Sequence, residues 1–112
     1  MTSPYDRGDY DPLDTFAFEA LSVAGTAVGF TAATMAGTPA TGKPACAAFC
    51  TVEGAPIRMR ADGTDPTATV GRLFGIGDNF VVWGARDLAS VRFISQTGAT
   101  ATLNTEFARM VA

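Results

Sequence analysis

The sequence predicts an all-β domain: a compact β-sandwich or barrel of about eight short antiparallel strands, with an extended N-terminal arm. Three observations predict it. Thr, Val, Phe and Ile recur at alternate positions over short runs, the period of a strand with one buried face. Clusters containing Gly and Pro interrupt these runs at roughly ten-residue spacing, which suits a sandwich or barrel. Apolar spacing of three and four residues, the mark of an amphipathic helix, is hard to find in the 112 residues.

The elements follow in order. Residues 1–14 read as the arm and residues 15–112 as a single β domain. From Thr15, Phe16, Phe18 and Ala20 alternate with Ala17, Glu19 and Leu21 as a first strand. Gly25-Thr26 offers a turn, and Ala27 to Met35 reads as a second strand. Gly37 to Pro44 holds two Gly and two Pro and is the clearest loop. Ala45 to Glu53 returns as a strand with Cys46, Ala48, Cys50 and Val52 on one face. Gly54-Ala55-Pro56 turns it into a strand from Ile57 to Ala61, with Ile57, Met59 and Ala61 inward and Arg58 and Arg60 outward.

Asp62 to Pro66 is a loop of residues that tolerate left-handed or fixed φ values, and Thr67 to Phe74 reads as a short strand. Gly75 to Asp78 is a tight turn. Asn79 to Trp83 carries apolar residues on both faces, which predicts that both are at least partly covered. Gly84 to Ser90 is a loop or one helical turn. Val91 to Ser95, a turn over residues 96–99, and Thr100 to Met110 read as a closing hairpin.

Composition narrows the function. The chain has 20 Ala, 15 Thr and 12 Gly, and 17% charged residues, below the ~25% usual in soluble domains. It has no His, one lysine (Lys43) and two cysteines. Without His there is no Ser-His-Asp or Cys-His machinery, and two Cys without His cannot build a four-ligand zinc site in one chain. No catalytic, cofactor-binding or metal-ligating set is expected, and no small-molecule substrate. Asp62, Asp65 and Asp78 lack calcium-loop spacing and read as turn residues. Gly71, Gly75 and Gly77 lack the lysine and helix of a phosphate loop. Nothing ties Glu53 and Glu106 into an acid/base pair.

The charge is unevenly placed. Residues 1–19 carry a net −4 and the rest a net +1. A nearly neutral body lacks the basic stripe that nucleic acid requires. No run supplies the ~20 apolar residues of a membrane helix, and the acidic N-terminus is unlike a secretory signal. The arm has two readings. It is either a solvated terminus, or a segment that settles on a neighbouring subunit and buries Tyr5 and Tyr10 there.

Cys46 and Cys50, if on one strand face, lie about 13 Å apart at ~3.3 Å per residue, beyond the ~7 Å a disulfide allows. They read as free buried thiols, as in a reducing cytoplasm. Arg58, Arg60 and Arg92 stand in strands with apolar neighbours. They are either a solvated sheet face or an interface that pairs with carboxylates, for which the acidic arm of another subunit is suited.

The run from Val52 to Arg60, then Asp62 to Gly71, and later Asp87-Leu88, Val91 to Ile94 and Ala101 to Asn104 form an ordered pattern. Over roughly residues 45–107 this pattern resembles small β-rich virion structural proteins of tailed bacteriophages. The arm is not part of it, and Cys46 and Cys50 lie at its margin. The resemblance implies a bacteriophage virion structural protein, a capsid decoration (cement) protein that binds the major capsid protein and stabilises the head as a homotrimer. It would be assembled in the host cytoplasm and located on the capsid surface. The alternatives are a head–tail connector or tail-associated protein, and a glycan- or receptor-binding module on the virion surface. The interaction residues expected on these readings are Tyr5, Tyr10, Arg58, Arg60 and Arg92.

Overall fold

The computed structural model describes residues 13–36 and 43–110. Tyr5, Tyr10, most of the arm and most of the Gly37 to Pro44 loop lie outside the described residues. The elements are β1 (Leu13–Val23), α1 (Ala32–Ala36), β2 (Ala47–Glu53), β3 (Ile57–Arg60), β4 (Arg72–Phe74), β5 (Asn79–Trp83), α2 (Ala85–Ser90), β6 (Arg92–Ser95) and β7 (Ala101–Met110). The seven strands form two antiparallel sheets, ordered β1-β7-β2-β5 and β4-β3-β6. The all-β expectation holds as a sandwich-like pair of sheets; they do not close into a barrel.

Alternation explains the layers. In β7, Ala101, Leu103, Thr105 and Phe107 are fully buried, while Thr102, Asn104 and Glu106 lie between them on the outer face. In β2, Ala48, Cys50 and Val52 face the same interior, and in the second sheet Ile57, Met59 and Phe93 close it from the other side. Phe30 locks the layers together, edge-on to Phe93 and to Phe107 with ring centroids 5.1 Å apart in both cases. Gly54 turns the chain from one sheet to the other with φ +88°, and a Cβ there would lie 3.2 Å from the Thr100 carbonyl oxygen. Only a glycine meets both conditions without strain.

Several elements differ from expectation. Leu13 and Asp14 are not arm residues: they pair with Met110 and Arg109, so β1 starts before Thr15. The register of β1 slips between Thr15 and Ala17, a bulge that places an extra residue on this strand. Phe16 therefore packs against the core while Phe18 is exposed, although strict alternation puts both on one face. Beneath the bulge lies Arg109, only 7% exposed. Its guanidinium sits 4.3 Å from the Phe16 ring centroid, and its Nε lies 3.5 Å from Asp14 Oδ2.

The strand expected over Ala27 to Met35 reduces to one bridge, in which Val28 and Phe93 exchange both backbone hydrogen bonds. Beyond it, Ala32, Ala33 and Ala36 favour helix, and α1 forms at a point where Glu19 accepts hydrogen bonds from the Thr31 amide and hydroxyl. The strand expected over Thr67 to Phe74 survives only as β4. The Thr67 hydroxyl accepts from the Val70 and Thr69 amides and closes a local turn that competes with the ladder.

The expected closing hairpin does not form either. β6 pairs with β3 and β7 with β1 and β2, so the turn after Ser95 is a crossover between sheets. Finally, β5 is covered on one face only: Val82 is buried, whereas Trp83 is 57% exposed. It is an edge strand of its sheet, and its outer face has no layer above it among the described residues.

Candidate docking surfaces

Each sheet turns one face inward and one outward. The outer face of β4-β3-β6 brings together all three arginines singled out from the sequence. Arg60 is directly opposite Arg92, and Arg58 lies in a row with Leu73 and Ile94. Between the cations the face is apolar, for Leu73 is half exposed, as is Val70 in the adjoining loop.

Each arginine is held by its own chain. Arg58 donates through Nε to the Ala68 carbonyl at 3.1 Å and through Nη1 to the Gly71 carbonyl at 2.9 Å, tying the 66–71 loop to the sheet. Gly71 makes this possible: its φ is +136°, and a Cβ there would stand 3.1 Å from Pro66 Cβ and 3.2 Å from the Met59 carbonyl oxygen. Arg60 forms a two-pronged pair with Asp62, which holds the Asp62 carboxyl below its ordinary value, chiefly through that hydrogen bond. Arg92 donates to the carbonyls of Ala89 and Val91, and its guanidinium lies where a Cβ on Gly29 would collide with it. The result is a pre-ordered surface of cations and aliphatic groups. Order before contact reduces the conformational entropy lost on binding.

The outer face of β1-β7-β2-β5 is different in kind. Its register forms one row, Phe18–Glu106–Phe49–Val81, and a second, Ala20–Asn104–Thr51–Asn79. The Thr51 hydroxyl and the Asn79 side-chain oxygen join by a hydrogen bond in the second row. Along the first row runs an open groove of about 430 Å³, and among the described residues that line it Glu106 is the one charged at neutral pH. Trp83 stands beside it, edge-on to Phe49 at 6.0 Å. The sequence reading missed Phe18, Phe49 and Leu73 as surface residues. Alternation alone signals two faces and not which one stays uncovered.

The remaining polar groups serve the fold. Asp78 accepts from the Gly75 amide and closes the β4–β5 turn. That turn is pinned to β2 by the Gly77 amide donating to the Val52 carbonyl and the Val52 amide donating to the Asp78 carbonyl. The Cys50 thiol is buried and its pKa is pushed up to about 12, with burial as the main cause and the Thr105 hydroxyl partly opposing it. Cys46 and Cys50 are both free. Among the described residues no three His, Cys, Asp or Glu side chains group as a metal site would require. No helix among them is long and apolar enough to cross a membrane.

No protein-family model, curated protein or solved structure matches this chain. Any functional reading therefore rests on the two faces and their residues.

Proposed function

We propose that this chain is a bacteriophage capsid decoration (cement) protein, which docks on the major capsid protein as a homotrimer and reinforces the head. The observation that carries the reading is a convergence. Most of the segments that resemble small phage virion proteins (Val52 to Arg60, Asp62 to Gly71, and Val91 to Ile94) build one sheet face and its attached loop. That face bears Arg58, Arg60, Arg92, Leu73 and Val70, the mixture of arginine and apolar groups favoured in protein interfaces. A protein that binds only the assembled lattice stabilises that lattice by mass action. In this reading β4-β3-β6 faces the shell, and its internally held arginines offer their remaining donors to capsid carboxylates.

The test is binding of the purified chain to expanded, undecorated heads, followed by cryo-electron microscopy of the complexes. Density at many equivalent positions over the shell, with lost binding in Leu73→Glu and Val70→Glu, is the expected result. Density confined to the portal vertex or the tail would replace cement with a connector role. Absence of density on the virion would end the virion reading altogether.

A further inference from the structure

An open sheet edge is a template for another strand, and natural sheets defend such edges with charge, proline, bulges, short length or a covering segment. Two sheets have four edges, and three are defended here. β1 bears Asp14 and Glu19 and is broken by its bulge. β4 is three residues long and begins with Arg72. β6 is covered by the segment before α1: Val28 and Phe93 exchange hydrogen bonds, and the Ser95 amide donates to the Ala24 carbonyl. β5 is undefended. Its residues, Asn79 to Trp83, include no charge and no proline, and its register is unbroken. Among the described residues no strand pairs with its free side. We infer that β5 pairs with β5 of a second copy of this chain, antiparallel about a twofold axis at Val81, joining two four-stranded sheets into one.

The ladder fixes which backbone groups face outward. The Gly84 amide donates to the Cys46 carbonyl beyond one end of β5, and the Val52 amide to the Asp78 carbonyl beyond the other. Hydrogen-bonded pairs alternate along an antiparallel ladder, so Phe80 and Val82 direct their N–H and C=O groups to β2. Asn79, Val81 and Trp83 direct theirs to the open side. An axis at Val81 sets Val81 opposite itself and Asn79 opposite Trp83 of the other copy. Every outward residue then meets an outward residue, and each pair exchanges two hydrogen bonds. Moving the axis by one residue leaves one of the three without a partner in the strand.

The side chains of these three residues share the outer face. Val81 is 39% exposed and Trp83 57%. In this register each Trp83 lies diagonal to Val81 of the other copy, within reach of an aromatic ring. The strip at the axis is apolar on both sides, with no charge to repel its own image. Asn79 supplies the polar match: its side-chain oxygen accepts from Thr51 and has a second lone pair for the indole N–H of the Trp83 opposite. A strand complementary to itself in backbone direction, apolar contact and donor–acceptor pairing fits a second copy. The β4-β3-β6 face assigned to the shell takes no part, and two trimers can meet through this edge as readily as two single chains.

The test uses the full chain. Sedimentation equilibrium should show particles with an even number of copies. Val81→Lys and Val81→Glu, changes at an exposed position, should each raise the dissociation constant of the contact about tenfold and shift the population towards half the mass. An equimolar mixture of the two variants should restore association, because the axis sets lysine opposite glutamate. Hydrogen exchange of the concentrated wild type needs no variant: the amides of Asn79, Val81 and Trp83 should be protected alongside those of Phe80 and Val82. An odd number of copies in the wild-type particle overturns the inference. So does a mass that neither variant lowers, or a mixture that fails to restore what the single variants lost. Fast exchange at Asn79, Val81 and Trp83 in the wild type overturns it too. None of these measurements involves a capsid, so they stand or fall apart from shell binding.

Discussion

Arg60 and Arg92 stand directly opposite one another in the β3–β6 ladder, two cations at neighbouring positions on one sheet face. Like charges so placed repel, and each guanidinium turns to its own local acceptor: Arg60 to Asp62, Arg92 to the carbonyls of Ala89 and Val91. The Asp62 carboxylate therefore relieves an unfavourable pairing as well as forming a favourable one.

Asp62→Asn should lower the thermal midpoint at low ionic strength, and the loss should shrink as salt screens the exposed charges. The pH dependence has a definite sign. The Asp62 carboxyl is depressed when folded, so its contribution is complete above the ordinary carboxylate range and is lost as the pH falls through the lowered value. Thermal melts of both proteins at two salt concentrations and across acid pH check this. A deficit that ignores salt would refute the charge-relief account.

Arg58 holds the 66–71 loop by two hydrogen bonds to carbonyl oxygens. Lysine has one charged tip and cannot reproduce the fork. Arg58→Lys should cost about 1–2 kcal/mol through the lost bonds, with faster amide exchange concentrated in residues 66–71. Hydrogen exchange read by mass spectrometry locates the effect. Uniform acceleration over the whole chain would place the role of Arg58 elsewhere.

Cys50 makes stability fall in alkali. Its folded pKa of about 12 lies above the ordinary thiol value of 9.0, so the folded protein holds a proton that the unfolded chain releases. The contribution is intact below pH ~9 and declines by about 1.4 kcal/mol per pH unit from there towards the folded value. Urea unfolding of the wild type and Cys50→Ala between pH 8 and 11 measures this. The expected outcome is a steeper decline in the wild type; parallel curves would contradict it.

Arg109 is nearly buried while its partner Asp14 is half exposed. The two ends of the pair should therefore respond unequally. Asp14→Asn should cost no more than about 1 kcal/mol, as exposed ion pairs do. Arg109→Ala removes the packing against Phe16 as well and should cost about 2–4 kcal/mol. Denaturant titration gives both values, and equal losses would show that the charge pair outweighs the packing.

Much of the fold was legible in the sequence because its signals are local. Ile57 and Met59 inward with Arg58 and Arg60 outward, the Gly54 to Pro56 turn and the Gly75 to Asp78 turn all follow from period-two alternation and turn chemistry. The failures have physical causes as well. Phe16 was misplaced because a bulge adds one residue and reverses the parity of everything before it. The α1 segment was misread because Ala and Thr alternate in either state, and Ala-rich helix propensity together with the Glu19 carboxylate tipped the balance. The candidate faces were half legible: the sequence put Arg58, Arg60 and Arg92 outward, but their partners lie up to 13 residues away and depend on how the loops return.

By itself, then, the sequence determined that this protein is all-β, that its acidity lies in the first 19 residues, and that its three strand arginines point away from the core. These properties follow from alternation and composition, which act over a few residues. Only the tertiary structure decided that β6 and β7 part into different sheets, that β5 is an edge, and that Phe18, Phe49 and Glu106 meet in one groove. Those outcomes depend on which strands pair across long separations, and pairing is set by how the whole apolar set packs, with Phe30 and Phe93 at its centre.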